Sequence, residues 1–104
     1  MLSLVIRGGT IVDGSGNKPY TADIGIEGDK ISIIGNLSDV ESADVIDARG
    51  KFVSPGFVDP HSHADLSLHK ENSEELLKPL IMQGITTFIG GNCGMALSPL
   101  LEPG

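Results

Sequence analysis

The sequence predicts an α/β protein whose first half is all-β, on three observations. Short runs of β-forming residues separated by tight turns fill roughly the first fifty positions. A strand, a helix and a second strand then follow in the order that makes a parallel pair. The first of those strands runs straight into His61 and His63, and the second into the glycine-bracketed Cys93.

Each element has a local reason. Residues 2–7 are rich in β-formers, Gly8-Gly9 punctuates them, and residues 10–13 read as a second short strand. Residues 14–19 are loop by composition. Ile24 and Ile26 then alternate with Asp23, Gly25 and Glu27, the period of a half-buried strand with the polar set outward. Gly28-Asp29 supplies a turn, and Ile31 and Ile33 resume the alternation, so the two runs form a β-hairpin. Residues 36–43 are polar and read as loop, residues 44–47 as a short strand, and residues 48–51 as a turn.

The pattern changes near Gly50, which places one part at residues 1–50 and a second at 51–104. Pro55 lacks the N–H a central strand needs, so a new strand starts after it and leads through Phe57 and Val58 into Asp59. A helix follows, with Asn72 at its N-cap and Glu75 at the capping-box spacing. Leu76, Leu77, Leu80 and Ile81 share helical spacing. Pro79 either kinks that helix or opens a second one in its first turn. Gly84 suits the position just past the end. Residues 85–89 read as a buried strand and residues 90–94 as the loop at its C-terminal end. The tail, residues 98–104, shows no stop signal and reads as a chain interrupted within a domain.

Composition excludes several classes. Lys and Arg number 7 against 14 Asp and Glu, a formal net charge of −7 with no basic stripe, so nucleic acid is not an expected partner. The single cysteine rules out an intrachain disulfide framework. The first residues lack the cationic segment and apolar run of a secretory signal, and no apolar run is long enough to cross a bilayer. Cytoplasm is the expected compartment, and no membrane partner is expected. Aromatics make up only 4%, so a core must come from Ile, Val and Leu.

Chemistry concentrates at three side chains. On an extended segment, residues two apart point the same way, so His61 and His63 present two imidazoles to one side. Neutral imidazole is a common metal ligand and suits zinc. The bland reading is two exposed loop histidines. Asp59 has two open readings, orienting a histidine from behind or capping a turn. Asp65 reads as a solvated loop carboxylate, and His69 as a surface residue. Cys93 is either a small buried hydrophobe, a nucleophile or a ligand. Its glycine neighbours and its place after a strand favour the ligand, and no Cys-His-Asn arrangement supports the nucleophile. Met82 and Met95 read as gap-fillers.

Several stretches resemble the amidohydrolase superfamily. They are Leu4-Val5-Ile6-Arg7-Gly8-Gly9-Thr10-Ile11-Val12-Asp13-Gly14, Gly28-Asp29-Lys30-Ile31, Val45-Ile46-Asp47-Ala48-Arg49-Gly50 and, most specifically, Ser54-Pro55-Gly56-Phe57-Val58-Asp59-Pro60-His61-Ser62-His63. The run from Gln83-Gly84-Ile85-Thr86-Thr87 to Gly91-Asn92-Cys93-Gly94 is similar to the N-acyl-D-amino-acid deacylase, or D-aminoacylase, branch. There a cysteine at this place ligates zinc, whereas dihydroorotases and hydantoinases use a carboxylated lysine. The resemblance implies a composite β-sandwich beside a metal-bearing (β/α)8 barrel, with residues 1–50 opening the sandwich and 51–104 opening the barrel. It implies zinc held by His61, His63 and Cys93, and hydrolysis of the amide of an N-acyl amino acid by metal-activated water. The general-base aspartate of that branch has no counterpart here and is expected beyond Gly104. A barrel needs on the order of 250 residues, so the chain alone is expected to be inactive. It is expected to self-associate or to pair with the remainder of the barrel through open sheet edges. Two alternatives also fit the resemblance, a non-catalytic amidohydrolase-like assembly module and a cyclic amidohydrolase of the dihydroorotase or hydantoinase type.

Overall fold

Strand β1 (Leu2–Ile11) organises the first half of the computed structural model, which describes residues 1–94. It pairs antiparallel with β2 (Tyr20–Glu27), which pairs antiparallel with β3 (Lys30–Gly35). On its other edge β1 pairs parallel with β4 (Ser42–Asp47) through Leu2 to Arg7, and with β5 (Phe52–Val53) through Thr10 and Ile11. The result is one mixed sheet in the order β3-β2-β1-β4, with β5 also on β1.

The two short strands expected around Gly8-Gly9 are one continuous strand. The register shifts between Ile6 and Gly9, and Gly8 takes a φ of 74°, so the glycine pair makes a bulge where a break was expected. The hairpin turn at Gly28-Asp29 is as expected. Only its first central residue, Gly28, has a positive φ, at 63°, the signature of a type II′ connection that matches strand twist.

Burial departs from the simple alternation of β2. Asp23 and Gly25, assigned to the outward face, are buried along with Ile24. The cause is Leu37 in the loop after β3, only 3% exposed, which folds over that face. A Cβ on Gly25 would lie 2.8 Å from both Ile33 and Leu2 and 3.1 Å from Leu37, so the covering works only over a glycine. The Asp23 carboxylate holds the arrangement. Oδ1 accepts the Gly8 N–H at 2.7 Å, and Oδ2 accepts the Leu37 N–H at 2.8 Å. Arg7 donates to the Leu37 carbonyl at 3.1 Å and so ties the same loop to β1. Val5, Ile11, Ile24, Leu37 and Ala48 form the small core.

Two compact units divide the chain, Met1–Pro55 and Gly56 onward. Residues 51–55, expected at the start of the second part, belong with the first. Phe52 and Val53 pair with β1, the Thr10 N–H donates to Lys51 O at 3.0 Å, and the Val12 N–H donates to Val53 O at 2.9 Å.

The second unit contains β6 (Phe57–Asp59), α1 (Ser73–Met82) and β7 (Ile85–Phe88), with β6 and β7 parallel. Asn72 occupies the N-cap of α1, but its side chain makes no capping hydrogen bond, so the expected capping box does not form. Pro79 sits inside a single continuous helix. It removes only its own N–H from the ladder, and that loss falls within the last turn and a half. Gly84 follows the helix with a φ of 85°, a conformation glycine adopts without the usual Cβ penalty, and its N–H donates to Ile81 O. Met95 and the tail lie outside the described residues.

Candidate metal centre

Both ligand-bearing loops leave the same end of the β6/β7 pair. Because the strands are parallel, with Asp59 beside Phe88, the chain after each emerges on a common side. Asp59 continues the pairing one step further, its carbonyl accepting the Ile89 N–H at 2.9 Å. Its carboxylate then caps the turn, Oδ1 accepting the His61 N–H at 3.1 Å. Of the two readings open for Asp59, the structure supports the turn cap. The effect is still on the histidine, since its backbone is held at the point where the ring departs.

The three sequence-derived candidates meet. The ligand atoms of His61, His63 and Cys93 all lie within 4.8 Å of one another, and all three residues are exposed. Cys93 Sγ is 3.8 Å from His61 Nε2. The two rings stand edge to face, with centroids 5.7 Å apart and an interplanar angle of 81°. Zn–S bonds of about 2.3 Å and Zn–N bonds of about 2.0–2.1 Å place tetrahedral N and S ligands about 3.5 Å apart, close to the distance seen. The Cys93–His61 pair therefore has the spacing of two ligands on one zinc ion, and His63 lies within 4.8 Å of both. His69 is exposed and stands outside the cluster.

Cys93 reaches this position through an unusual backbone. Its φ of 58° and ψ of 27° put it in the left-handed region, where a non-glycine residue carries a conformational cost. The surrounding loop is braced to sustain that. Asn92 Nδ2 donates to Ser62 O at 2.9 Å and to Ile89 O at 2.6 Å, which spans the histidine loop and the end of β7. The Ser62 N–H donates to Ile89 O at 3.2 Å, and Ser62 Oγ accepts the Ala64 N–H at 3.0 Å.

Asp65 corrects an expectation. It is half-buried rather than solvated, and its Oδ2 accepts the Gly91 N–H at 3.2 Å across 26 residues of sequence. The carboxylate packs on Gly90, where a Cβ would come 2.7 Å from Asp65 Cγ. Sequence reasoning also missed the bracing by Asn92. The one available signal was the Gly90-Gly91 pair, which marks a close approach without saying what approaches.

Comparison with known proteins identifies the family. Residues 44–99 match the model of the amidohydrolase family. A D-aminoacylase from Alcaligenes xylosoxydans xylosoxydans is 43% identical over 97 residues, covering 93% of this chain and 19% of that protein. An N-acyl-D-glutamate deacylase from the same organism is 42% identical over 103 residues, covering 99% of this chain and 20% of that protein. The crystal structure of N-acyl-D-glutamate deacylase from Bordetella bronchiseptica, complexed with zinc and a phosphonate mimic of the tetrahedral intermediate, matches with a TM-score of 0.87 and 40% identity. That match covers 99% of this chain and 21% of that one. The chain thus spans about a fifth of the length of these relatives. A family match over more than half its residues, joined to these identities, shows that the chain belongs to the amidohydrolase family and resembles its D-aminoacylase branch.

Proposed function

We propose that this chain supplies the first metal ligands of a zinc-dependent hydrolase that cleaves the amide bond of N-acyl-D-amino acids. The observation that carries the reading is the convergence of His61, His63 and Cys93 at the C-terminal ends of two parallel strands. On this reading β6, α1 and β7 are the opening βαβ unit of a (β/α)8 barrel, whose active site forms at that end of the strands. Residues of the first unit would contribute to an accompanying β-sandwich.

His61 and His63 would each offer a ring nitrogen, and Cys93 a thiolate whose negative charge offsets part of the charge of a divalent cation. When bound, such an ion supplies Lewis acidity and acidifies water. Asp59 and Asp65 are both engaged with backbone N–H groups, so neither is placed as the general base. We place that carboxylate, and the groups recognising the substrate's own carboxylate, outside these 104 residues. Cys93 favours acyl-amino-acid deacylation over cyclic amide hydrolysis, because a cysteine ligand takes the place that a carboxylated lysine fills in dihydroorotases and hydantoinases.

Metal analysis of the intact protein tests the reading. The wild type should carry zinc, and His61→Ala should lower metal affinity by more than the roughly 10–100-fold typical of losing an outer partner, with deacylase activity falling in parallel. Zinc-free wild type, together with unchanged activity of His61→Ala, would refute it.

A further inference from the structure

We infer that Asp65 is a positioning residue that sets the thiol of Cys93 against the histidine pair, acting through Gly90 and Gly91. The inference rests on the metal-centre reading above. Its basis is a chain of contacts that crosses between the two ligand loops. Asp65 is the second residue of the short 3-10 turn Ala64–Ser67, whose N-cap is His63, so its backbone moves with the histidine loop. Its side chain leaves that loop and grips the other one, Oδ2 accepting the Gly91 N–H at 3.2 Å. The second oxygen, Oδ1, is buried and has no hydrogen-bond partner among the described residues. A carboxylate oxygen withdrawn from water is costly, so this side chain has not simply fallen onto the surface.

Gly90 completes the device. A Cβ there would meet Asp65 Cγ at 2.7 Å and Cβ at 2.9 Å, so the carboxylate seats against bare backbone. Two residues beyond Gly91 the chain enters the left-handed conformation of Cys93, which points Sγ to within 3.8 Å of His61 Nε2. With the loop unheld, Cys93 can relax to negative φ, and the thiol then leaves the histidines. The Asp59 carboxylate fixes His61 from within its own loop, whereas Asp65 fixes the distance between loops.

Cobalt(II) titration of the full-length protein tests this, because a thiolate bound to cobalt gives a charge-transfer absorption that histidine ligands do not. Wild type should show that band and Cys93→Ala should lose it. Asp65→Ala should bind cobalt about 10–100-fold more weakly and lose most of the band, leaving Cys93 open to alkylation in the presence of metal. Asp65→Asn, whose amide oxygen still accepts the Gly91 N–H, should recover most of it. Gly90→Ala, which unseats the carboxylate from the other side, should behave like Asp65→Ala. Asp65→Ala with the wild-type band and affinity overturns the inference and leaves the metal centre standing. A wild type that binds cobalt without the thiolate band overturns Cys93 as a ligand, and this inference with it. Should Asp65→Ala fail to fold, Gly90→Ala decides, and an unchanged band in that variant overturns the inference.

Discussion

Asp23 shows how much one side chain does in the first unit. Alternation along β2 puts it opposite the isoleucines, on what reads as a wet face. The structure buries it, and both of its oxygens accept backbone N–H bonds, from Leu37 and Gly8. Those two bonds, Leu37 first, hold its carboxyl below the ordinary value of 3.8, with a smaller attraction from Arg7. A depressed carboxylate pKa means that the unfolded chain takes up the proton first. The stabilisation is complete above pH 3.8 and is lost as pH falls below it through the lowered native value. Asp23→Asn should therefore cost about 1–3 kcal/mol near neutrality and flatten the decline of stability in acid. Denaturant melts from about pH 5 down to about pH 2 check this, and equal acid slopes for the two proteins would count against it. Nothing in the sequence around Asp23 announces this role. The Gly8 it serves is 15 residues away and the Leu37 is 14. His61, His63 and Cys93 were, by contrast, nominated by residue type, by their places after the two strands and by the resemblance to the amidohydrolases, with blander readings left open.

Among the elements, the strands and the helix follow their local patterns, and the departures have local causes that only packing reveals. Gly8-Gly9 looks like a break and is a bulge, because β2 continues alongside and re-forms the ladder beyond it. Pro79 could kink the helix or open a second one, and it lies inside one helix, seventh of ten residues. Just before β6, the chain passes close against β7. A Cβ on Gly56 would overlap the Thr86 side chain on the neighbouring strand segment. Gly56→Ala should therefore destabilise the protein by at least about 1–3 kcal/mol and disturb the strand pair that carries both ligand loops. Gly35→Ala is the control. Nothing lies within 4 Å of its Cβ position and its φ is not positive, so it should change stability by less than about 0.5 kcal/mol. Chemical denaturation of both variants separates the cases, and similar midpoints would show that the Gly56 contact yields easily.

At the scale of the whole molecule, each unit leaves large apolar side chains uncovered. Ile31 is 64% exposed and Phe52 76% in the first unit, while Phe57 is 59% and Met82 74% exposed in the second. Among the described residues, the pair β6/β7 also has two open edges. The 104-residue chain expressed by itself should therefore self-associate, and sedimentation velocity should show species heavier than 10.9 kDa. A single monomeric boundary across concentrations would contradict this. Such a chain was legible to the extent that its information is short-range. Strand period, turn glycines, helix spacing and the His-x-His motif are carried by neighbours in sequence, so chain order alone determines them. Contacts such as Asp65 with Gly91, Asn92 with Ser62 and Asp23 with Leu37 join residues that no local pattern links, and they exist only once parallel strands and a folded-over loop bring distant backbone together. Residue type and spacing nominate a ligand, and long-range packing decides whether its donor atom arrives within a bond length or two of the others.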